Sequence, residues 1–468
     1  MAPAERSAGQ AGKAGRRSRL RAGSVRARRR RGRLSGAALA AAAALLALAS
    51  GVLLVGGRTF WGLGGDPTPG QVSAPSRPDR QPEPTPEPAP EPLLGVEGID
   101  RLGSGARWRV AGTGARPVGG ATYAGCAPRT DADPRHVAAY LRSFETGGGA
   151  QLAVHAVEVS RSGVRAAAAF DRQVGWYAGC QLPRVQLLDS YTLPRPGTDV
   201  VVLGLRRWSD PVRSITVALG RTGVATTVLV HEADRPRGPS RAAISRSVVA
   251  ALDRLCTATG GECGGAGRRV PSLRTVPPPP TGEAPGFLAT VDLPPAGRLR
   301  TPWAGTDPAR GYTGAATALC DGGALDTDTV ERLRSRTFVV PGERVPTRFG
   351  ISQAVGVVSS PAGARLLVEQ AAALVMSCPD RRLSVTVTGG TTVRTRDVRG
   401  RTWRIGYELP AGAVYHRVGL VRHGRVVSQV TLSPTSRLDP GRAAFQRLVL
   451  RAGQRLGELS AAARRPRA

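Results

Sequence analysis

Every enzyme constellation that needs a lysine fails here for want of that one residue type. The 468-residue chain has a single lysine, Lys13, so a Walker A loop, a kinase phosphate-binding lysine, a Schiff-base lysine and a Ser-Lys pair are all excluded beyond the first dozen or so residues. Five histidines, His136, His155, His231, His416 and His423, are scattered, and none stands in an HExxH or other metal spacing. No GxSxG nucleophile elbow occurs, and Gly112-x-Gly114 lacks the third glycine and the following helix that dinucleotide binding requires. Asp131 with Asp133, and Asp326 with Asp328, precede expected helices, where capping accounts for them. Trp108, Trp176, Trp208 and Trp403 fall in or beside strand and helix patterns; core packing is the first expectation for them and a carbohydrate-stacking platform the second. No catalytic, cofactor-binding or metal-ligating residue is assigned. The chemistry that remains is that of six cysteines, Cys126, Cys180, Cys256, Cys263, Cys320 and Cys378.

What positions those cysteines is an internal repeat. Residues 241–255, RAAISRSVVAALDRL, and 442–456, RAAFQRLVLRAGQRL, share RAAxxRxVxxAxxRL without a gap. At the same offset Val217, Leu219, Arg221 and Gly223 match Val418, Leu420, Arg422 and Gly424. Upstream, 155–180 aligns with 353–378 through Ala156/Ala354, Val157/Val355, Ser162/Ser360 and Cys180/Cys378, and Cys126 corresponds to Cys320. Each copy predicts the same order. A short helix (133–144; 326–336) is followed by an alternating strand (152–160; 348–358) and by an Ala-rich helix ending at the second cysteine. Strands with hairpin character come next (198–205 and 215–231; 403–409 and 416–432), then a closing amphipathic helix carrying Ile244, Val248, Ala251 and Leu255, or Phe445, Val449, Ala452 and Leu456. The expected fold is α+β, helices packed on an antiparallel sheet, made twice.

The repeat prunes the disulfide possibilities. Only Cys126 with Cys180 and Cys320 with Cys378 give both copies the same bond, and Cys256 and Cys263 then close a small loop with no counterpart in the second copy. None of the spacings is CxxC, and no histidine or acidic cluster adjoins them, so structural disulfides are preferred to metal ligation.

The N-terminal third sets the expected topology. Residues 1–33 carry 12 Lys+Arg and one acidic residue, a basic cytoplasmic tail. Residues 34–57 have no charge and are long enough to cross a bilayer as a helix. The basic flank lies on the N-terminal side, so the positive-inside rule puts the tail in the cytoplasm and the rest outside. Ala47-Leu48-Ala49 resembles a signal-peptidase site, but the long basic region and the apolar continuation through 51–55 favour an uncleaved anchor. No cysteine precedes Cys126, which excludes a lipoprotein. Ten prolines between 66 and 93 make 58–95 a semi-rigid, polyproline-rich stalk. The remaining divisions are a first domain at 96–256, a Gly/Pro linker at 257–285, a second domain at 286–458 and a basic end at 459–468.

Composition bounds the function. Hydrophobic content of 41% excludes a wholly disordered chain, and a lone apolar span excludes a polytopic transporter. The absence of Asn and the near-replacement of Lys by Arg resemble codon usage in a GC-rich, actinobacterial genome. Of the net +32, the tail holds its 12 basic residues against one acidic, and the rest of the chain 54 against 33. That exported excess could attract an anionic envelope polymer, while arginine-biased coding explains it equally simply; no specific nucleic-acid partner is expected.

The segment 157–180, VEVSRSGVRAAAAFDRQVGWYAGC, with its strand, small-residue turn and helix ending in Trp-x-x-x-Cys, followed by hairpins and a terminal helix, resembles the extracellular sensor domain of mycobacterial receptor-type Ser/Thr kinases and related actinobacterial lipoproteins. The second copy departs from it, with Leu374 in place of Trp176, and no kinase domain accompanies either. The resemblance implies sensing or binding at the cell envelope and carries over no functional residue beyond the cysteines. The expectation is a single-pass membrane protein displaying two non-catalytic, disulfide-bonded sensor-like domains to an envelope ligand. The alternatives are an exported envelope hydrolase, or an interaction subunit of an envelope complex whose tail contacts anionic lipid.

Overall fold

Valine, leucine and threonine in alternation build the first sheet, and the spacing of its helices decides which faces they cover. In chain order its elements are α1 (Val96–Asp100), β1 (Trp108–Gly114), β2 (Ala138–Thr146), β3 (Gln151–Val159), α2 (Gly163–Ala178), β4 (Val185–Thr192), β5 (Thr198–Arg207), β6 (Arg213–Thr222), β7 (Ala225–Ala233), α3 (Arg241–Leu255) and β8 (Arg274–Thr275). The strands run antiparallel in the order β1-β2-β3-β7-β6-β5-β4-β8. The second half repeats this with β9 (Ala304–Gly305), β10 (Ala309–Arg310), β11 (Val330–Val339), β12 (Gly350–Val358), α4 (Pro361–Met376), α5 (Cys378–Arg381), β13 (Val385–Arg394), β14 (Val398–Leu409), β15 (Gly412–His423), β16 (Val426–Ser433) and α6 (Arg442–Ala462). Its order is β10-β11-β12-β16-β15-β14-β13, with β9 also on β11. This computed structural model describes residues 91–103, 105–114, 125–128, 130–194, 198–263, 272–312, 320, 325–410 and 412–462, all within the unit Pro84–Ala468. The expected tail and membrane span at 34–57 lie outside the described residues, as does most of the stalk. Among the described residues no helix is long and apolar enough to cross a membrane.

Each sheet carries helices on both faces. Phe170 and Val174 of α2 pack on Val217 and Leu219 of β6, whereas Ile244 and Val248 of α3 pack with Ala218, the residue between them. Neighbouring strand residues point to opposite faces, so α2 and α3 enclose the sheet. In the second half α4 covers Val418 and Leu420 and α6 covers Val421.

Two expected helices are strands. Residues 133–144 and 326–336, read as helical, contribute to β2 and β11, with Leu141 opposite Ala156 and Ser335 opposite Ala354. Local preference for helix at Ala138, Ala139 and Leu141 amounts to fractions of a kcal/mol per residue, and pairing along β3 overrides it. The capping role given to Asp131, Asp133, Asp326 and Asp328 falls with those helices. Real caps occur at Ser162 and Ser360, whose hydroxyls accept from the N–H of Arg165 (3.4 Å) and Gly363 (3.0 Å). The β6–β7 turn needs Gly223, at φ +53°, where a Cβ would lie 1.9 Å from the Thr259 carbonyl oxygen.

The three disulfides are Cys126–Cys180, Cys256–Cys263 and Cys320–Cys378. The equivalent pair ties the loop ahead of β2 or β11 to the end of α2 or α4.

The repeat also extends further upstream than the sequence alignment reached. Leu94 donates its N–H to His155 Nδ1 (3.0 Å) and Leu288 donates to Gln353 Oε1 (2.7 Å). Nε2 of each side chain then meets a hydroxyl on the adjoining strand, Thr227 (2.8 Å) or Ser428 (3.1 Å). Arg142 and Arg336 each donate to the carbonyl of the same leucine, both at 3.1 Å, while pairing with Glu91 and Glu283 respectively. Each half thus grips its own lead-in segment by one matching clamp.

The linker does not hang free between the halves. Thr275 of β8 pairs with Tyr191 of β4. Ala289 and Val291 enter the core of the first half, while Leu288 and Leu293 enter that of the second. At the junction Asp292, fully buried, receives Arg455 through Nε (2.8 Å) and Nη2 (3.1 Å). Arg451 reaches across to the Leu188 carbonyl (2.5 Å).

Candidate functional site

The sequence-derived candidates are dispersed by the fold. His155 is buried in its clamp, where desolvation, reinforced by the Arg254 and Arg142 charges, lowers its pKa to about 3. His231 bonds Gln151 Oε1 (3.2 Å) edge-on to Trp108, and burial lowers its pKa to about 4. His416 bonds the Ser433 hydroxyl (2.9 Å), and burial again favours its neutral form. Trp208 stacks under Arg206, and Trp403 is buried in the second core. Among the described residues no three His, Cys, Asp or Glu side chains are grouped to hold a metal ion.

One place in the first half combines polarity, an aromatic wall and space. Between α2, the sheet and the loop after Cys126 lies a cleft of about 50 Å³. Its floor is Ala139, Ala156 and Val228; its helical wall is Gln173, Trp176 and Tyr177; its loop side is Ala127, Pro128 and 130–132. The helix is anchored through Phe170 and Val174, which turns Gln173 and Trp176 toward the cleft at helical spacing.

The loop is fixed rather than draped. Both oxygens of Glu158, a cleft residue, accept backbone N–H groups, from Ala132 (3.0 Å) and from Asp133. Burial raises the Glu158 pKa even against those bonds. Asp133 accepts from the Arg135 N–H (2.9 Å) and from Arg165 (3.1 Å). Burial opposes its ionisation, but these bonds and the Arg165 charge prevail and lower its pKa. Arg172 donates to the Ala132 carbonyl from α2. Asp131 stands at the rim, its side chain 44% exposed and 3.8 Å from His136. Gln173 is 7% exposed; its Nε2 is 3.5 Å from the Thr226 hydroxyl and its Oε1 has no partner.

The second half closes the matching place. Glu158, Gln173, Trp176 and Asp131 correspond to Gly356, Ala371, Leu374 and Leu325. There Leu325, Ala354, Leu367 and Val427 form an apolar cluster with Val330 and Leu333 against it, and a Cβ on Gly356 would come within 2.2 Å of Val330 Cγ1. The fold therefore has no need of the polar set; only the first copy keeps it. Two other hollows, about 30 Å³ beside Trp208 and Trp303 and about 140 Å³ over Thr388, Arg404 and Tyr415, have no buried polar atom without a partner among their lining residues. In the sequence Trp176 reads as a packing or stacking residue and Asp131 as a cap, while Glu158 and Gln173 stand in no motif. The signal that could have found them is the gap-free alignment of the two copies, in which charged and amide residues face glycine and alanine.

No family model matches the chain, and no curated protein does. Among solved structures, DynU16, a putative protein in the dynemicin biosynthetic locus, is similar at 13% identity over 69% of this chain and 84% of its own, with a TM-score of 0.11. The di-domain ARO/CYC StfQ from the steffimycin biosynthetic pathway aligns at 13% identity over 76% and 98%, with a TM-score of 0.09. Neither likeness defines the fold or the activity of this chain.

Proposed function

We propose that the protein is a membrane-anchored, extracytoplasmic sensor or ligand-binding protein of the cell envelope, with the first half as its binding half and the second as its structural partner. The observation that carries this reading is the cleft kept open and polar in one copy and filled with leucine and valine in the other. The reading is of binding rather than catalysis because both oxygens of Glu158, the buried carboxylate of the cleft, are committed to backbone N–H groups. The uncharged span at 34–57, the basic flank before it and the proline-rich stretch after it supply the anchor and stalk in this scheme.

Hydrogen exchange on the full-length chain in detergent tests it. Total envelope extract should slow exchange at 127–132 and 173–177, saturably, while leaving the matching segments of the second half unchanged. Exchange that stays the same at those segments over the whole range of extract would refute the reading.

A further inference from the structure

Building on the binding role proposed for this cleft, we infer that its ligand is a neutral, hydroxyl-rich ring, the edge of a saccharide unit in a larger glycan. Charge excludes one alternative first. Asp131 at the rim and Glu158 at the base are the charged residues of the lining, and both oppose an anion.

Hydrogen bonding then narrows the class. Gln173 is more than nine-tenths buried on the cleft wall with one end of its amide unpartnered. Whether the oxygen or the nitrogen faces Thr226 is a matter of amide orientation, and reversing it exchanges an unmet acceptor for an unmet donor. A hydroxyl both donates and accepts, so it satisfies either orientation; an ammonium or an ether satisfies only one. Asp131 adds an exposed acceptor at the mouth.

Shape completes the description. About 50 Å³ holds one edge of a ring and its hydroxyl, not a whole sugar. The indole of Trp176, half-buried on the wall, offers an apolar surface to the C–H face of the same ring. The rest of a glycan stays outside, consistent with a site that reads a terminal unit.

The test uses full-length protein in detergent and water-soluble polysaccharide released from the envelope of the producing cells, intact and after periodate cleavage of its vicinal diols. Intact polysaccharide should bind saturably and protect 173–177 from exchange, and periodate should reduce affinity at least tenfold. Gln173→Leu and Trp176→Leu should each weaken binding of the intact material about tenfold, with exchange elsewhere showing that the fold is kept. Leu374→Trp in the second half should change nothing. If total envelope extract protects the cleft but the protection survives periodate, the saccharide assignment is wrong and the binding role stands. If neither extract nor polysaccharide protects it, both are wrong.

Discussion

A single histidine records how the two copies solved one problem with different chemistry. His155 and Gln353 each accept a leucine N–H and reach a hydroxyl on the next strand, yet only histidine titrates. With His155 held neutral, its pKa near 3 in the fold against 6.5 when unfolded, the unfolded chain binds more protons between those values. Stability is then fully present above about pH 6.5 and falls as pH drops toward 3, with His231, near 4, adding to the slope. His155→Gln should flatten the dependence of the denaturation midpoint on pH between 6.5 and 4 while leaving the neutral-pH midpoint nearly unchanged. An undiminished slope in that variant would assign the pH response elsewhere. The partners of both side chains lie on segments distant in sequence, so nothing near His155 in the chain pointed to its role. Glu158 and Gln173 were hidden for the same reason, since the loop and the hydroxyl they meet are placed by tertiary structure.

The terminal helices, the hairpins and the cysteine pairing were all legible, because each depends on a local period or on the alignment of copies. The strands β2 and β11 were not, because their character is conferred by pairing and a run such as Ala-Ala-Tyr-Leu-Arg reads locally as helix. The C-terminal end of β12 shows how tightly the second copy has closed its version of the cleft. Gly356 lies under Val330 with no room for a methyl group. Gly356→Ala should cost about 1–3 kcal/mol, the range for overpacking a filled core. Gly175→Ala, on the helix wall of the first half where nothing lies within 4 Å of a new Cβ, should be neutral or slightly stabilising. Chemical denaturation of the two variants side by side would show the contrast, and equal effects would contradict the filled-core description.

At the scale of the whole molecule, the sequence left the relation of the halves undecided. A linker rich in proline and glycine reads as a spacer, yet this one adds β8 to the first sheet, and the segment just after it, 288–293, divides its residues between two cores and closes on a buried carboxylate. Asp292 holds Arg455 through two bonds with Arg451 3.8 Å away. Asp292→Ala would leave guanidinium charge buried without its counterion, an error of about 3–5 kcal/mol. The expected result is a lowered midpoint, or loss of a single cooperative transition in favour of two, in denaturation followed by tryptophan fluorescence. A single transition at the original midpoint would mean that the halves are not joined through this carboxylate.

The clamps have a mechanical meaning as well. The chain enters each half across the side chains of one strand pair, held at a leucine by one acceptor and one guanidinium, and it passes the first such grip at residue 94 before any strand begins. A pull arriving along the chain from the N-terminal side therefore meets the bonds at Leu93 and Leu94, made by Arg254, His155 and Arg142, before it reaches the strands. In this geometry each half is loaded through its own lead-in segment, the second half at Leu288 through Gln353 and Arg336.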